Sequence, residues 1–299
     1  PLHRRSWRSL GDDDSVDGGA AWTGESLDGK AILLYSEQGL GDAIQFVRYA
    51  EELKRRGARR VIVEAPAAVT SLLARARGVD DVVARGGALP AFDVHASLMD
   101  LPRLCSTELA TVPATIPYLE APSRPVSSLV DAPAGVLKVG IVWAGNPMHQ
   151  RDHLRSVPLS QIAGLFEQTN VRFFSLQKGG PEGELARIAS SRVVDLSPYL
   201  NDFRDTAAAI ARLDLVLTVD TSVAHLAAAL GRETWIMITH VPDFRWMLGR
   251  DDSPWYPTVR LFRQPAPRDW ASVIASVRRA LDARCGAHAA SPPTRLEAR

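Results

Sequence analysis

Short, uninterrupted apolar runs alternate with helical patterns along most of this chain, and that alternation leaves few folds open. Residues 30–35 (KAILLY) form the first run. A glycine-bearing turn follows at 36–42, then a helical pattern over 43–56 with apolar Ile44, Val47 and Leu53. Basic Lys54, Arg55 and Arg56 occupy its last turn, where the helix dipole favours cations, and Gly57 stands just past the end. Residues 60–64 read as a second strand, 67–75 as a second helix, and 81–83 and 92–95 as further short strands. Runs this short and this continuously apolar suit strands covered on both faces of a parallel sheet. Strand, helix, strand, helix predicts a wound α/β domain.

The pattern breaks once and then restarts. Pro113, Pro117, Pro122, Pro125 and Pro133 lie close together with Ser123, Ser127 and Ser128, a density that neither a helix interior nor a central strand accepts. This stretch reads as an interdomain linker. Beyond it, strands are expected at 138–143, 172–176, 213–219 and 234–238, with helices at 159–168, 205–212 and 222–230. A closing amphipathic helix over 269–284 sets Trp270, Val273, Ile274, Val277 and Leu281 on one face. The predicted organisation is a flexible leader at 1–28, a Rossmann-like domain with linker at 29–133, a second at 134–284 and a tail at 285–299.

At 299 residues the chain is long enough for two such domains. Lys plus Arg is 35 against 34 for Asp plus Glu, and this balance argues against a nucleic-acid partner held by phosphate neutralisation. No uncharged apolar run approaches the roughly 20 residues of a membrane-spanning helix. Cys105 and Cys285, the two cysteines, cannot build a disulfide framework or a cysteine-rich zinc site. The basic N-terminus lacks the apolar core of a signal peptide. A cytoplasmic two-domain protein is the expectation, and the opening Pro1 points to a piece trimmed from something longer.

In open α/β sheets ligands bind where strands lead into helices, so chemistry is expected on those turns. The first is Glu37, Gln38, Gly39, Leu40, Gly41, Asp42. Gly39 and Gly41 begin a dinucleotide fingerprint, but Ile44 stands at its third glycine position, so the match is weak. Asp42 reads either as a helix-capping acid or as a carboxylate aimed at a ligand. The second turn, residues 143–147 (WAGNP), has small residues that let backbone N–H groups approach a phosphate. Arg151, Asp152, His153 and Arg155 follow in a polar loop. The third carries Gln177 and Lys178. The fourth, residues 219–227 (VDTSVAHLA), runs a buried strand into a helix whose first turn holds Asp220, Thr221 and Ser222, with His225 one turn in. Each of these reads alone as a cap or a core histidine; together they fit an anion site at a helix N-terminus. The seven histidines include no helical His-x-x-x-His pair, so no metal site is expected, and no G-x-S-x-G elbow supports serine hydrolysis.

Residues 37–49 (EQGLGDAIQFVRY), 142–147 (VWAGNP), 155–159 (RSVPL), 175–179 (SLQKG) and 220–229 resemble the bacterial heptosyltransferase-like glycosyltransferases of family 9, in particular the branch in which this module follows tetratricopeptide repeats. The resemblance implies the GT-B fold: two Rossmann-like domains facing each other across a cleft, acceptor on the first, nucleotide-sugar donor on the second. It implies inverting, metal-independent transfer with no cofactor beyond the nucleotide-diphosphate sugar, to a glycan, lipid-linked glycan or protein. It places the base on Asp42, within an acceptor-side loop of Gln38, Gly39, Gly41 and Gln45. The donor diphosphate falls to Asp220, Thr221, Ser222, His225, Arg155 and Asn146, and the nucleoside side to Gln177 and Lys178. Heptosyltransferases proper have glycine where this chain has Ser222, and Lys-Trp-Pro where it has residues 155–158, which leaves the sugar open. Two other readings stand beside transfer: a non-catalytic nucleotide-sugar-binding module of a repeat-containing interaction protein, and a GT-B nucleotide-sugar epimerase.

Overall fold

The computed structural model describes residues 19–188 and 192–290. They divide into two compact units. One runs to Glu120 and includes Asp202–Arg204; the other comprises Ala121–Asn201 and the chain from Asp205 onward.

The first unit is built on a five-stranded parallel sheet. Its strands are β1 (Ala20–Ala21), β2 (Ala31–Tyr35), β3 (Arg60–Ala65), β4 (Asp81–Ala84) and β5 (Val94–Ser97), in the order β1-β5-β2-β3-β4. Ile32, Leu33, Leu34, Val61, Ile62 and Val63 are fully buried, as expected of central parallel strands covered on both faces. The expected single helix over 43–56 is two helices, α1 (Leu40–Phe46) and α2 (Tyr49–Arg55). Arg48 sits at their junction and is buried. Its guanidinium donates to the carbonyls of Gln45 and Pro113 and to the Tyr118 hydroxyl, and it stacks over the Tyr118 ring at 4.5 Å. The helices α3 (Ala67–Leu73) and α4 (Leu101–Leu104) complete the unit's α-helices.

Two boundaries differ from expectation. Within the predicted leader, β1 pairs in parallel with β5, and Trp22 and Leu27 are buried; these two apolar side chains in a polar stretch supply the burial that orders residues 19–28. Residues 1–18 lie outside the described residues. The proline-rich stretch also packs, through Tyr118, Leu119, Val126 and Val130, and forms a 3-10 turn at Pro125–Leu129, a geometry that proline at a first helical position permits.

The second unit carries six parallel strands: β6 (Leu137–Val142), β7 (Val171–Ser175), β8 (Val193–Asp195), β9 (Leu215–Val219), β10 (Thr234–Ile238) and β11 (Val259–Arg263). Their order is β11-β10-β9-β6-β7-β8. The helices α5 (Asp152–Arg155), α6 (Leu159–Ile162), α7 (Phe203–Ile210), α8 (Ser222–Ala229) and α9 (Trp270–Ala290) join them. Phe166 and Phe173 meet edge-on at 5.1 Å in the core. The predicted face of α9 is buried there through Trp270, Val273, Val277 and Leu281. This helix continues to Ala290, so the expected tail at 285 begins inside it; residues 291–299 lie outside the described residues.

Strand order locates the sites. In the first sheet the connections leave β2 toward β3 and β4 on one side and return through β5 on the other. In the second, β6 leads outward to β7 and β8, and β9 leads the other way to β10 and β11. Where order reverses, the turns at the carboxyl ends of neighbouring strands diverge and leave a crevice. Those ends carry residues 36–42 after β2, 143–156 after β6 and 220–225 after β9.

Candidate functional site

The turn after β2 ends in α1, whose N-cap is Gly39. Asp42 is the third residue of the helix, and its Oδ2 accepts the Gly39 backbone N–H at 2.8 Å. That contact satisfies one of the donors a helix N-terminus leaves without an intrahelical partner. Asp42 is half-buried, while Gln38 and Gly39 are exposed. Gly41 lies within the helix. Gln45, expected on an acceptor-side loop, is instead inside α1 and fully buried, which takes it off the exposed part of the turn.

The turn after β6 is organised by Gln177, which follows β7 and is 2% exposed. Its Oε1 accepts the N–H groups of Trp143 (3.1 Å) and Ala144 (3.0 Å), while Nε2 donates to the carbonyls of Ala144 (3.0 Å) and Lys178 (2.9 Å). The side chain expected to face a nucleoside therefore clamps two strand ends, with both lone pairs and both protons in use. Lys178 Nζ donates to the Ser197 carbonyl at 3.0 Å. Downstream, Asp152 receives Arg155 Nε at 3.0 Å and the Ser156 hydroxyl at 2.8 Å, and Ser156 Oγ accepts the Gly145 N–H at 2.9 Å. Arg155 is thereby held beside Gly145. Asn146 is exposed and its side chain accepts the Met148 N–H.

The turn after β9 joins the other expected residues. Thr221 is the N-cap of α8 in extended conformation, and its hydroxyl meets that of Thr218 at 3.2 Å. Because Thr218 Oγ1 donates to the Val219 carbonyl, Thr221 is the donor in that pair. The N–H groups of Ser222 and Val223 begin the helix, where no intrahelical acceptor exists. Asp220 precedes the cap. Burial pushes its carboxyl up to about 6; the Trp246 indole N–H opposes this, nearby Asp243 adds to it, and Arg155 and Arg245 draw it down. Arg155, on the turn after β6, is thus among the cations acting on Asp220, and β6 and β9 are neighbouring strands of one sheet. Among the described residues no group of three or more His, Cys, Asp or Glu is arranged to hold a metal ion.

His225 is 5% exposed. Its Nδ1 lies 2.9 Å from the Tyr256 hydroxyl, and its ring stacks on Trp246 at 5.3 Å between centroids. Trp246, Trp255 and Tyr256 are buried packing groups. The partnership of His225 with Trp246 and Tyr256 carries no sequence signal, since His225 is in α8 and the two aromatics stand in the β10–β11 connection. Arg245 was also missed: it is nearly buried, paired with Asp243 at 2.8 Å, and nothing in its spacing ties it to residue 220.

Residues 160–236, which include Gln177, Lys178 and the whole of the β9 turn, match the family model described as Glycosyltransferase family 9 (heptosyltransferase). Protein FlbA of Caulobacter vibrioides is 27% identical over 298 residues; the match covers 88% of this chain and 48% of that protein, so the chain spans about half the length of this curated relative. Among solved structures, a family 9 glycosyl transferase from Veillonella parvula aligns with a TM-score of 0.65 at 11% identity, covering 89% of this chain and 99% of that one. The ADP-heptose lps heptosyltransferase II of E. coli aligns at 0.58 and 14%, covering 87% and 100%. E. coli heptosyltransferase WaaC with ADP-2-deoxy-2-fluoro heptose aligns at 0.58 and 12%, covering 85% and 99%. The chain has the GT-B fold of these heptosyltransferases.

Proposed function

We propose that the chain is an inverting, metal-independent glycosyltransferase that moves a sugar from a nucleotide-diphosphate donor to an acceptor hydroxyl. One observation carries the reading: the segment that matches family 9 contains the Thr221-capped N-terminus of α8, at the switch point of the second sheet. Helix N–H groups aimed outward from such a point bind phosphate well. On this reading Asp42 takes the proton from the acceptor hydroxyl as its oxygen attacks the anomeric carbon. The diphosphate leaves from the opposite face, and its charge is met by the α8 N–H groups, Ser222, His225 and Arg155. Gln177 acts one step back, by fixing the β6 turn.

A thermal-shift screen against UDP, ADP, GDP and CMP and their sugars tests this. A donor at about 100 times its Kd stabilises the fold by about 2.7 kcal/mol, and the base preference narrows the sugar. No stabilisation by any of them would sink the proposal. The acceptor is a glycan, a lipid-linked glycan or a protein.

A second reading is favoured by the Asp42 contact with Gly39: an acid occupied as a cap suits a module that binds nucleotide sugars without turnover. Donor binding with neither transfer nor hydrolysis, across a donor panel, would select it. The proposal extends to a cytoplasmic setting and to a tetratricopeptide-repeat region in a longer protein. The half-length match to FlbA is in keeping with the latter. No described helix is long and apolar enough to cross a membrane.

A further inference from the structure

His225 lies one turn into α8, and helical side chains lean back toward the N-terminus of their helix. Its imidazole therefore covers the turn that begins at Thr221. Three features surround that ring. Tyr256, fully buried, brings its hydroxyl to Nδ1 at 2.9 Å. Trp246, also fully buried, stacks on the ring nearly parallel, at 21°. Trp246 and Tyr256 themselves pack with centroids 6.4 Å apart. The Trp246 indole N–H has no hydrogen-bond partner of good geometry, although it lies near enough to Asp220 to draw its carboxyl down. A buried, underused donor beside a carboxyl is uncommon in a packed core. The backbone behind it is fixed as well: Arg263 Nη2 donates to the carbonyls of Trp246 and Arg250, both at 3.1 Å.

We propose that Tyr256 and Trp246 are positioning residues of the donor turn: Tyr256 holds His225 as the tautomer that presents Nε2–H to a diphosphate oxygen, and Trp246 fixes the ring plane. The inference rests on the donor-site reading above. The hydrogen bond made by one ring nitrogen decides which nitrogen carries the proton. When the Tyr256 hydroxyl donates to Nδ1, neutral His225 bears its proton on Nε2 and can donate to an anion. The reverse arrangement would leave Nε2 an acceptor, which repels a phosphate oxygen. Asp220 works against the same ligand whenever it is ionised. The groups that act on it are Asp243, Arg155, Arg245 and the Trp246 indole, while Tyr256 faces His225.

Calorimetric titration of UDP, ADP, GDP and CDP over about pH 5 to 8 tests the assignment. Binding by the wild type should strengthen as the pH falls through about 6, where Asp220 takes up its proton. Tyr256→Phe keeps the packed ring and removes one hydroxyl; it should weaken binding by about 10- to 100-fold, as loss of a hydrogen bond to a charged group does. Trp246→Phe keeps an aromatic ring beside His225 but reduces the stacked face, so it should weaken binding less than Tyr256→Phe does. A fall in melting temperature alone moves neither readout. Nitrogen-15 spectra of the unmutated protein read the tautomer without any substitution, and Nε2–H is expected for His225. An Nδ1–H tautomer, or wild-type affinity in a folded Tyr256→Phe protein, overturns the inference while leaving the donor site intact. If the wild type binds none of the four nucleotides, the donor-site reading falls and this inference falls with it.

Discussion

The turns after β2 and β9 are built from the same parts, a buried parallel strand, an aspartate and a helix, yet they hold their acids differently. In the first, Asp42 stands inside the helix at its third position and accepts the Gly39 N–H. In the second, Asp220 stands before the Thr221 cap, outside the helix, and burial raises its carboxyl to about 6. Four residues of displacement relative to the cap change what the acid does. An acid within the first turn is stabilised as an anion by the helix dipole. An acid ahead of the cap shares its position with any anion that comes to the same N–H groups. The first arrangement suits a base that must be ionised; the second suits a residue whose charge sets whether an anionic donor is admitted.

The largest effect that could break this contrast is on turnover. Asp42→Asn retains an oxygen to cap Gly39 but loses basicity, so transfer should fall by about 10²- to 10⁴-fold, the range for removal of a general base. Affinity for nucleoside diphosphate should be unchanged, because that site is assigned to the other unit. Full activity in a steady-state transfer assay would remove Asp42 as the base and leave it a cap. Next in size is a stability difference between two glutamines that flank the turns. Gln177→Leu strands the buried N–H groups of Trp143 and Ala144, at about 1–3 kcal/mol for each unpaired group, so urea denaturation should show a loss of about 2–6 kcal/mol. Gln38 is exposed, and Gln38→Leu should stay within about 0.5 kcal/mol of the wild type. Equal effects would show that the β6 turn is held by something other than the clamp.

The wound α/β fold was legible because the central strands are continuously apolar; residues 30–35, 213–219 and 234–238 each contain the strand found there, and 60–64 falls one residue short of β3. The amphipathic face of α9 was legible for a similar reason, its spacing. What stayed hidden depends on contacts between distant residues. Nothing local at Val47 and Arg48 announces the break between α1 and α2, which Arg48 marks by reaching Pro113 and Tyr118. The β1 pairing turns on Trp22 and Leu27, two apolar residues in an otherwise polar stretch. Within the candidate site, residue types at turns could be read but not the direction in which each spends its hydrogen bonds. Gln177 has the donors and acceptors to hold a nucleoside, and Trp143, Ala144 and Lys178 use all of them. His225 has a partner 31 residues away, beyond any periodicity.

Asp220 also predicts a pH dependence of stability. Asp220 has a folded-state pKa of about 6 against an ordinary 3.8. Below about pH 4 it is protonated in both folded and unfolded chains and contributes nothing to the difference. Between the two values the unfolded chain ionises first, so this residue makes stability fall as pH rises, by an amount on the order of 2–3 kcal/mol that is complete above about pH 6. Asp220→Asn should remove that fall, leaving a variant more stable than the wild type near neutrality. Denaturant midpoints at several pH values measure it. A wild type whose stability shows no contribution of this sign would mean that Asp220 is ionised normally and that the contrast with Asp42 lies in position alone.

The smallest expected difference concerns the glycines. A Cβ on Gly145 would stand 2.3 Å from Asp152 Oδ1 and 2.6 Å from Arg155 Nη2. Both side chains are tied to each other, and Asp152 also to Ser156, so neither can yield without releasing the loop. Gly145→Ala should cost about 1–3 kcal/mol, as overpacking does, and should weaken nucleotide binding by displacing Arg155. On Gly39 a Cβ would stand 3.3 Å from Asp42 Oδ2, and the residue already has φ of −74°, which any L-residue adopts. Gly39→Ala should therefore cost a few tenths of a kcal/mol, the ordinary range for an exposed position. Both numbers come from one denaturation series. If Gly39 were the costlier site, close backbone approach would be a requirement of the acceptor-side turn and not of the β6 turn, and Arg155 would lose its place in the donor site.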